Sequence, residues 1–112
     1  MKLLNCVDVQ LAEVKMEGAK DAYMKWLIAK TDGAPNFAMR LFEIKAGGNT
    51  PLHTHAFEHE VYILEGTGIF VCEGKEHSFR KDYCIFVPGD KIHQFRNTGN
   101  TSLRFLCCVP ND

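Results

Sequence analysis

The sequence lacks an excess of charge of either sign. Its 112 residues contain 13 Lys and Arg against 14 Asp and Glu, which gives a formal net charge of −1. No run of basic residues occurs that could follow a phosphate backbone, so we expect no nucleic-acid partner. The near-neutral balance also gives little reason to expect attraction to an anionic membrane surface.

Long apolar runs are missing as well. Nowhere do about 18 apolar residues stand together, so the sequence predicts no membrane-spanning helix. The first six residues hold only a two-residue apolar run, which is too short for the core of a secretory signal. The five cysteines are odd in number and form no CxxC pair, and in a chain that is 46% hydrophobic they indicate buried, reduced thiols rather than disulfides. We therefore expect a cytoplasmic protein.

Turn signals and short β-forming segments alternate along most of the chain. From about residue 24 onward, clusters of Gly, Pro, Asn and Asp recur roughly every 8–12 residues, a spacing typical of a sandwich or barrel. The segments between them are rich in β-branched and aromatic residues. They predict strands at residues 37–45, 60–64, 69–72, 83–87, 93–97 and 103–109. Residues 11–25 predict strand and loop with at most one helical turn, so the fold class is all-β.

Three of the five histidines, His53, His55 and His59, fall within seven residues. In a strand, residues two apart share a face, so His53 and His55 would point the same way and could chelate one ion. His93 begins another predicted strand and is the natural source of a fourth ring. The remaining histidine, His77, is interpreted as a surface or hydrogen-bonded residue. This pattern predicts a metal site with the ligands His53, His55, His59 and His93.

The spacing around these histidines resembles the two motifs of the cupin superfamily. The first motif is matched at every step by Gly47-x5-His53-x-His55-x3-His59-x6-Gly66, and the second by Pro88, His93 and Asn97, with Asp82 and Asp90 in place of its two glycines. Aspartate tolerates turn conformations better than most residues, so these departures leave the fold expectation intact. The resemblance implies a single-domain jelly-roll barrel of the small cupin 2 type over residues 1–112. Residues 1–33 would form N-terminal strands and an extension, and residues 34–110 the barrel.

The informative departure from the first motif is at its glutamate. The six-residue spacing to Gly66 assigns that position to His59, and Glu60 is the competitor, but adjacent strand residues face opposite ways and only one can reach the ion. Residues 34–110 closely resemble the small bacterial tetra-histidine cupins that bind manganese, in which the histidine of the same Phe-Glu-His-Glu pattern is the ligand. The resemblance favours Mn²⁺, while imidazole ligands are also compatible with Fe²⁺, Zn²⁺, Ni²⁺ and Cu²⁺.

Two further residues are candidates for the pocket. Period-two alternation places Leu103, Phe105, Cys107 and Val109 inward, and in the resembling cupins the corresponding Phe-Leu-Cys run lies beside the metal. A small core filler is the alternative interpretation of Cys107. Arg40 stands in the middle of a predicted strand. It would guide an anionic substrate, as similar cupins suggest, or else face solvent or a dimer partner.

Four neutral imidazoles leave a divalent ion with its full charge, which favours an anionic substrate, a hydroxide or a peroxide. Our first hypothesis is a metal-dependent oxidoreductase that uses O2 or peroxide on a small organic substrate inside an apolar barrel, framed by Phe42, Ile63, Phe95 and Phe105. The alternatives are a redox-neutral isomerase or cyclase in which the ion polarises a carbonyl, and a non-catalytic binding module for a small molecule or metal. By family analogy we expect a homodimer, with residues 23–30 as a possible edge strand.

Overall fold

The computed structural model describes residues 1–111. Two single turns of 3-10 helix, Cys6–Asp8 and Lys30–Asp32, accompany nine strands. The strands are β1 (Ala12–Glu13), β2 (Lys20–Ile28), β3 (Phe37–Asn49), β4 (His59–Glu65), β5 (Thr67–Cys72), β6 (Lys75–Arg80), β7 (Cys84–Val87), β8 (His93–Asn97) and β9 (Leu103–Pro110). Within residues 1–111 no helix is long and apolar enough to span a membrane.

The long strand β3 organises the sheet. The strand order is β6-β5-β8-β3-β9-β4-β7, with β2 on β3 and β1 on β2. Residues 37–44 of β3 pair with β9, whereas Asn49 at its far end pairs with Arg96 of β8. Because the two ends of β3 bond to different strands, the sheet curls into a jelly-roll barrel. The predicted all-β jelly-roll fold is confirmed.

All six predicted strands are present, and that at residues 93–97 has the predicted bounds. Strand β6 was not predicted, because its residues are charged or polar and exposed, with the exception of buried Phe79. It forms through its tight hairpin with β5, whose turn places Glu73 and Gly74 at positive φ. Residues 11–25 contain no helical turn and divide between β1 and β2. The expectation that His53 and His55 share a strand is wrong, since His53 forms only an isolated bridge with His93.

The barrel is filled by the inward side chains of its strands. Phe105, Ile63 and Leu103 are almost completely buried, and each such side chain contributes on the order of 1.5–3 kcal/mol to stability. Phe42, Phe105 and Phe95 stack in a row inside the barrel, with centroid distances of 5.2 and 4.8 Å. The alternation of β9 follows the expected pattern, with residues 103, 105, 107 and 109 buried.

The motif positions at the turns have a clear backbone role. Gly66 has a φ of +94°, and a Cβ there would lie 2.9 Å from the carbonyl oxygen of Ser102. Asp82 and Asp90, which replace two motif glycines, have φ values of +72° and +65°. The left-handed conformation is therefore retained although the glycines are not. Buried Asn97 donates to the carbonyls of Ile44 and Thr101, which ties β8 to two neighbouring segments.

Candidate metal centre

The main chain brings the two histidine-bearing segments together. The amide of His53 donates to the carbonyl of His93 at 3.1 Å, and the amide of His93 donates to the carbonyl of His53 at 2.9 Å. A further bond from the Asp90 amide to the His55 carbonyl, at 2.7 Å, joins the loop before β8 to the loop before β4. The position of the site is thus set by backbone pairing.

The four rings predicted as ligands converge. One ring nitrogen from each of His53, His55 and His93 lies within 4.8 Å of the others. Outside that set of three, the His59 ring contacts two of its members. Its Nε2 is 2.8 Å from His55 Nε2, and its centroid is 5.3 Å from that of His93. His77 lies on β6 and is exposed.

His59 and Glu60 face opposite sides of β4. The side chain of His59 is 7% exposed and lies among the other imidazoles, whereas Glu60 is exposed on the outer face. This placement is the one that the spacing argument predicts for a fourth histidine ligand. For the carboxylate of Glu60 to be the ligand instead, β4 would have to present its opposite face to the other histidines.

Backbone carbonyls fix the orientation of two of the rings. His55 Nδ1 lies 2.8 Å from the Phe57 carbonyl, and His93 Nδ1 lies 2.8 Å from the Lys91 carbonyl. Because a carbonyl only accepts, each Nδ1 carries the proton and each neutral ring has its lone pair on Nε2. A metal-bound histidine typically binds the ion through one ring nitrogen and donates the N–H of the other to an oxygen, and these two rings make that second contact.

Burial favours the neutral form of three of the imidazoles by lowering their pKa values. It is the main cause that lowers the pKa of His59 to about 3, and the positive charge of Arg40 lowers it further. Burial also lowers the pKa values of His53 and His93, although the bond to the Lys91 carbonyl opposes this at His93. Neutral imidazole is the form that coordinates metals, so these rings are ready to bind a cation near pH 7.

The residues present fit a divalent cation. Two ring nitrogens that face each other at 2.8 Å, those of His55 and His59, need a proton or a cation to hold them there. A divalent ion bound by neutral imidazole nitrogens would hold such nitrogens close together in place of that proton.

A cavity of about 570 Å³ opens above the histidines. Phe42, Phe95 and Phe105 line it as expected, whereas Ile63 is fully buried behind them. Both other candidates lie in its wall, where an Arg40 Nη2 is 3.1 Å from the Cys107 sulfur. Burial raises the pKa of the Cys107 thiol, although the nearby charge of Arg40 opposes this.

Arg40 is a half-buried cation that points inward. Its guanidinium lies 5.0 Å from the Phe42 ring and 5.7 Å from the Trp26 ring. None of the ion pairs found among residues 1–111 includes it, and within the same residues its buried Nε has no hydrogen-bond partner. A guanidinium in this state is well suited to receive an anion from the cavity.

Several cavity residues were not identified from the sequence. Trp26 and Phe57 form part of the wall, and Glu13 and Lys15 stand at its edge on and after the short strand β1. The two-residue strand has no periodic signal that could have placed Glu13 and Lys15 there. Trp26, the single tryptophan of the chain, was the one available signal.

A jelly-roll barrel with histidines converging beneath an apolar cavity defines the cupin class of proteins. The chain belongs to the cupin domain family, Cupin_2, whose sequence profile matches residues 40–109. It is 34% identical over 99 residues to the oxalate-binding protein of Thermotoga maritima, covering 84% of this chain and 80% of that protein. It is 35% identical over 66 residues to an uncharacterised protein of Methanocaldococcus jannaschii, covering 58% of this chain but only 53% of that longer protein.

Among solved structures, the polyketide cyclase RemF from Streptomyces resistomycificus is similar over the whole of this chain and 80% of its own. The TM-score is 0.94 and the sequence identity 34%. A predicted oxalate decarboxylase from Thermotoga maritima has a TM-score of 0.87 at 24% identity, covering 97% of this chain and 98% of its own, which supports the fold alone.

Proposed function

We propose that this cupin binds a divalent cation, with Mn²⁺ favoured, through His53, His55, His59 and His93, and acts on a small anionic organic molecule held in the cavity above. The observation that carries the proposal is the cluster of His53, His55 and His93, with the ring of His59 against that of His55; three of these four histidines have lowered pKa values. The all-imidazole donor set suits several divalent ions, and Mn²⁺ is favoured by the resemblance to the manganese-binding tetra-histidine cupins.

Arg40 supports an anionic substrate. It is the cation of the inner wall, it lacks an ion-pair partner among the described residues, and its Nε is buried. An anionic group of the substrate would supply the counter-charge that the guanidinium lacks among the described residues. The rings of Trp26 and Phe42 flank the guanidinium at 5.7 and 5.0 Å and hold it beside the cavity.

The reaction that we favour is redox-neutral, a cyclisation or isomerisation of a carbonyl compound. A divalent cation at this site supplies Lewis acidity toward a substrate carbonyl. Support comes from the similarity to a polyketide cyclase along the whole chain, and from Glu13, whose carboxylate at the cavity edge is a candidate proton acceptor. The stacked rings of Phe42, Phe95 and Phe105, which line the cavity, would hold the body of the substrate.

An O2- or peroxide-using oxidoreductase is the second candidate. The neutral donor set supports it, because it leaves the ion with its full charge and so favours hydroxide or peroxide as well as an organic anion. The two candidates differ in their need for oxidant. We expect turnover of an enolisable keto acid in the absence of O2 and peroxide, with zinc as well as manganese. A strict requirement for an oxidant and for a redox-active metal would replace the first candidate by the second.

The metal site is tested by titrating chelator-treated protein with Mn²⁺ in a calorimeter. We expect one equivalent to bind per chain, and His59→Ala and His93→Ala to lower the affinity by on the order of 100-fold or more, since each removes a ligand. His77→Ala is the matched control and should bind as the wild type does, because His77 lies outside the cluster. Equal binding by all three variants would refute the site.

Anion binding has its own test. Oxalate, a small dianion, is the probe, and its binding to the Mn²⁺-loaded protein is followed by calorimetry. We expect Arg40→Met to weaken oxalate binding by on the order of 10-fold, whereas Lys75→Met on the exposed strand β6 should leave it unchanged. Equal oxalate affinity in wild type and Arg40→Met would remove Arg40 from the proposed site. Oxalate that binds and is never turned over, together with failure of all keto acids tested, would favour a non-catalytic binding role.

We also propose a homodimer. The support is the outer edge of β2, where β1 pairs only with Tyr23 and Met24 and leaves the following residues of the strand uncovered on that side within the described chain. Trp26 and Ile28 in that segment are 48% and 40% exposed. Sedimentation at micromolar concentration should give twice the chain mass, and a monomeric mass would contradict the proposal.

A further inference from the structure

Three polar atoms, one each from His59, Cys107 and Arg40, form a triangle at the Nδ1 edge of the His59 ring. The Cys107 sulfur lies 3.1 Å from His59 Nδ1. Arg40 Nη2 lies 3.1 Å from the same sulfur and 3.3 Å from the same ring nitrogen. The contacts are shielded, since His59 and Cys107 are 7% and 3% exposed.

A proton must lie on His59 Nδ1 when the ring binds a cation. Nε2 faces His55 and the centre of the cluster, so it is the nitrogen that would give its lone pair to the ion. A neutral imidazole then carries its single proton on the other nitrogen, and that N–H needs an acceptor. His55 and His93 meet the same demand with backbone carbonyls.

Among residues 1–111, no carbonyl is found as a partner of the His59 ring. Within residues 1–111 the hydrogen-bond partners found for its Nδ1 are Arg40 and Cys107. A guanidinium has five donors and no acceptor, so Arg40 cannot receive the proton. The sulfur can, because a neutral thiol keeps two lone pairs and accepts weakly.

We propose that the Cys107 sulfur accepts the Nδ1–H of His59 in the metal-loaded protein and is the positioning residue of the fourth imidazole. The inference rests on the proposed metal site and deepens it. Cys107 acts as a thiol and needs no change of charge or oxidation state. Arg40 donates to the same sulfur and holds it in place from the cavity side.

The arrangement links the cation to Arg40. In a metal-free ring whose proton is on Nε2, Arg40 can donate to Nδ1. Once Nδ1 is protonated, both Arg40 Nη2 and Nδ1 are hydrogen-bond donors and no longer bond to each other. Arg40 then donates only to the Cys107 sulfur, and its remaining N–H groups are available to the cavity. Cys107 is therefore the shared partner of a metal ligand and of the residue that would bind the substrate anion.

Substitutions at residue 107 distinguish a hydrogen-bond acceptor for His59 from a side chain that only fills space. Cys107→Ala removes both, Cys107→Val fills the space without an acceptor, and Cys107→Ser restores an acceptor. We expect Ala and Val to weaken Mn²⁺ binding by about 10-fold or more and Ser to keep it within about threefold of wild type. Cys108→Ala, on the opposite face of β9, is the control and should bind normally. If Val binds as well as wild type, or if Ser is as weak as Ala, the proposal fails.

The tautomer of His59 is read directly by ¹⁵N–¹H spectroscopy of zinc-loaded protein, since Zn²⁺ is diamagnetic. We expect the His59 proton on Nδ1, exchanging slowly with water in the wild type and in Cys107→Ser, and rapidly in Cys107→Ala and Cys107→Val. A proton found on Nε2, or slow exchange in all variants, would overturn the role of the sulfur. These spectra also show whether each variant is folded.

Failure of the metal site itself has a different signature. If neither wild type nor His59→Ala binds Mn²⁺ or Zn²⁺, the ligand assignment is wrong and the inference falls with it. If wild type binds and His59→Ala does not, while the residue 107 variants all bind as wild type, the metal site stands and only the role of Cys107 is refuted.

Discussion

Asp90 combines a strained conformation with a contact that the site depends on. Its φ of +65° is a region that residues with a Cβ rarely occupy, and its amide donates to the carbonyl of His55. Aspartate occupies this region more readily than most residues, because its short polar side chain can bond locally. The backbone conformation at residue 90 therefore helps to hold the loop that carries His55.

Substitutions at Asp90 should follow backbone preference rather than charge. We expect Asp90→Val to lower the free energy of unfolding by about 1–2 kcal/mol, because a β-branched residue is disfavoured at positive φ. Asp90→Gly should change it by less than about 1 kcal/mol, since relief of strain offsets the greater freedom of the unfolded chain. Urea unfolding of the metal-free proteins measures both. Equal destabilisation by Gly and Val would show that the side chain, not the conformation, matters.

Much of the site could be predicted residue by residue. Three of the histidines stand within seven residues, and the spacing to Gly66 favoured His59 over Glu60, which the structure places on opposite faces of β4. What the sequence could not provide were contacts that depend on side-chain rotamers. The inward direction of Arg40 and the triangle that it forms with His59 and Cys107 are of this kind.

The loop before β8 packs directly against the loop before β4. A Cβ added at Gly89 would collide with the carbonyl oxygen of Ala56, which lies between His55 and His59. Because that contact is to backbone, the clash can be relieved only by moving one loop. Gly89 is thus a requirement of the close approach between the two ligand-bearing segments.

Gly89→Ala should weaken metal binding more than it weakens the fold. We expect Mn²⁺ affinity to fall by on the order of 10-fold, because the displaced loop carries His55. Gly74→Ala is the control, since it strains a turn at positive φ where a Cβ meets no neighbour within 4 Å. It should lower the unfolding midpoint and leave the affinity unchanged. A loss of affinity in proportion to stability for both variants would contradict this distinction.

Among the elements, prediction succeeded where hydrophobic alternation was strong and failed where pairing alone creates the strand. The inward residues of β9 follow period two and were predicted. Strand β6 exposes all its residues except Phe79, so its partner β5, rather than its composition, makes it a strand. Strand β1 pairs through only two residues, which is too short for any pattern.

The metal-free molecule as a whole should lose stability in mild acid. Burial lowers the pKa values of His53, His59 and His93, that of His59 to about 3, whereas unfolded histidines titrate near 6.5. Between about pH 6.5 and pH 3 the unfolded chain therefore binds more protons than the folded one, so the free energy of unfolding falls as the pH falls.

This dependence is measured by urea unfolding in the presence of a chelator at a series of pH values from 7.5 to about 4. We expect the midpoint to decrease steadily below about pH 6.5, and to decrease less steeply in His59→Gln, which lacks one of the groups responsible. Saturating Mn²⁺ should raise the midpoint at neutral pH and make its fall in acid steeper, because protons compete with the ion. A midpoint independent of pH in the metal-free protein would contradict the buried, neutral state of these rings.

The paired amides of His53 and His93 have a consequence for how the ion arrives. Since two main-chain bonds join the halves of the cluster, the polypeptide can complete its barrel before any cation is present. Uptake and loss of the ion then become local events in the cavity of a finished molecule and require no refolding. The identity of the occupant would accordingly follow the supply of ions around the mature protein, and one occupant could replace another during its lifetime.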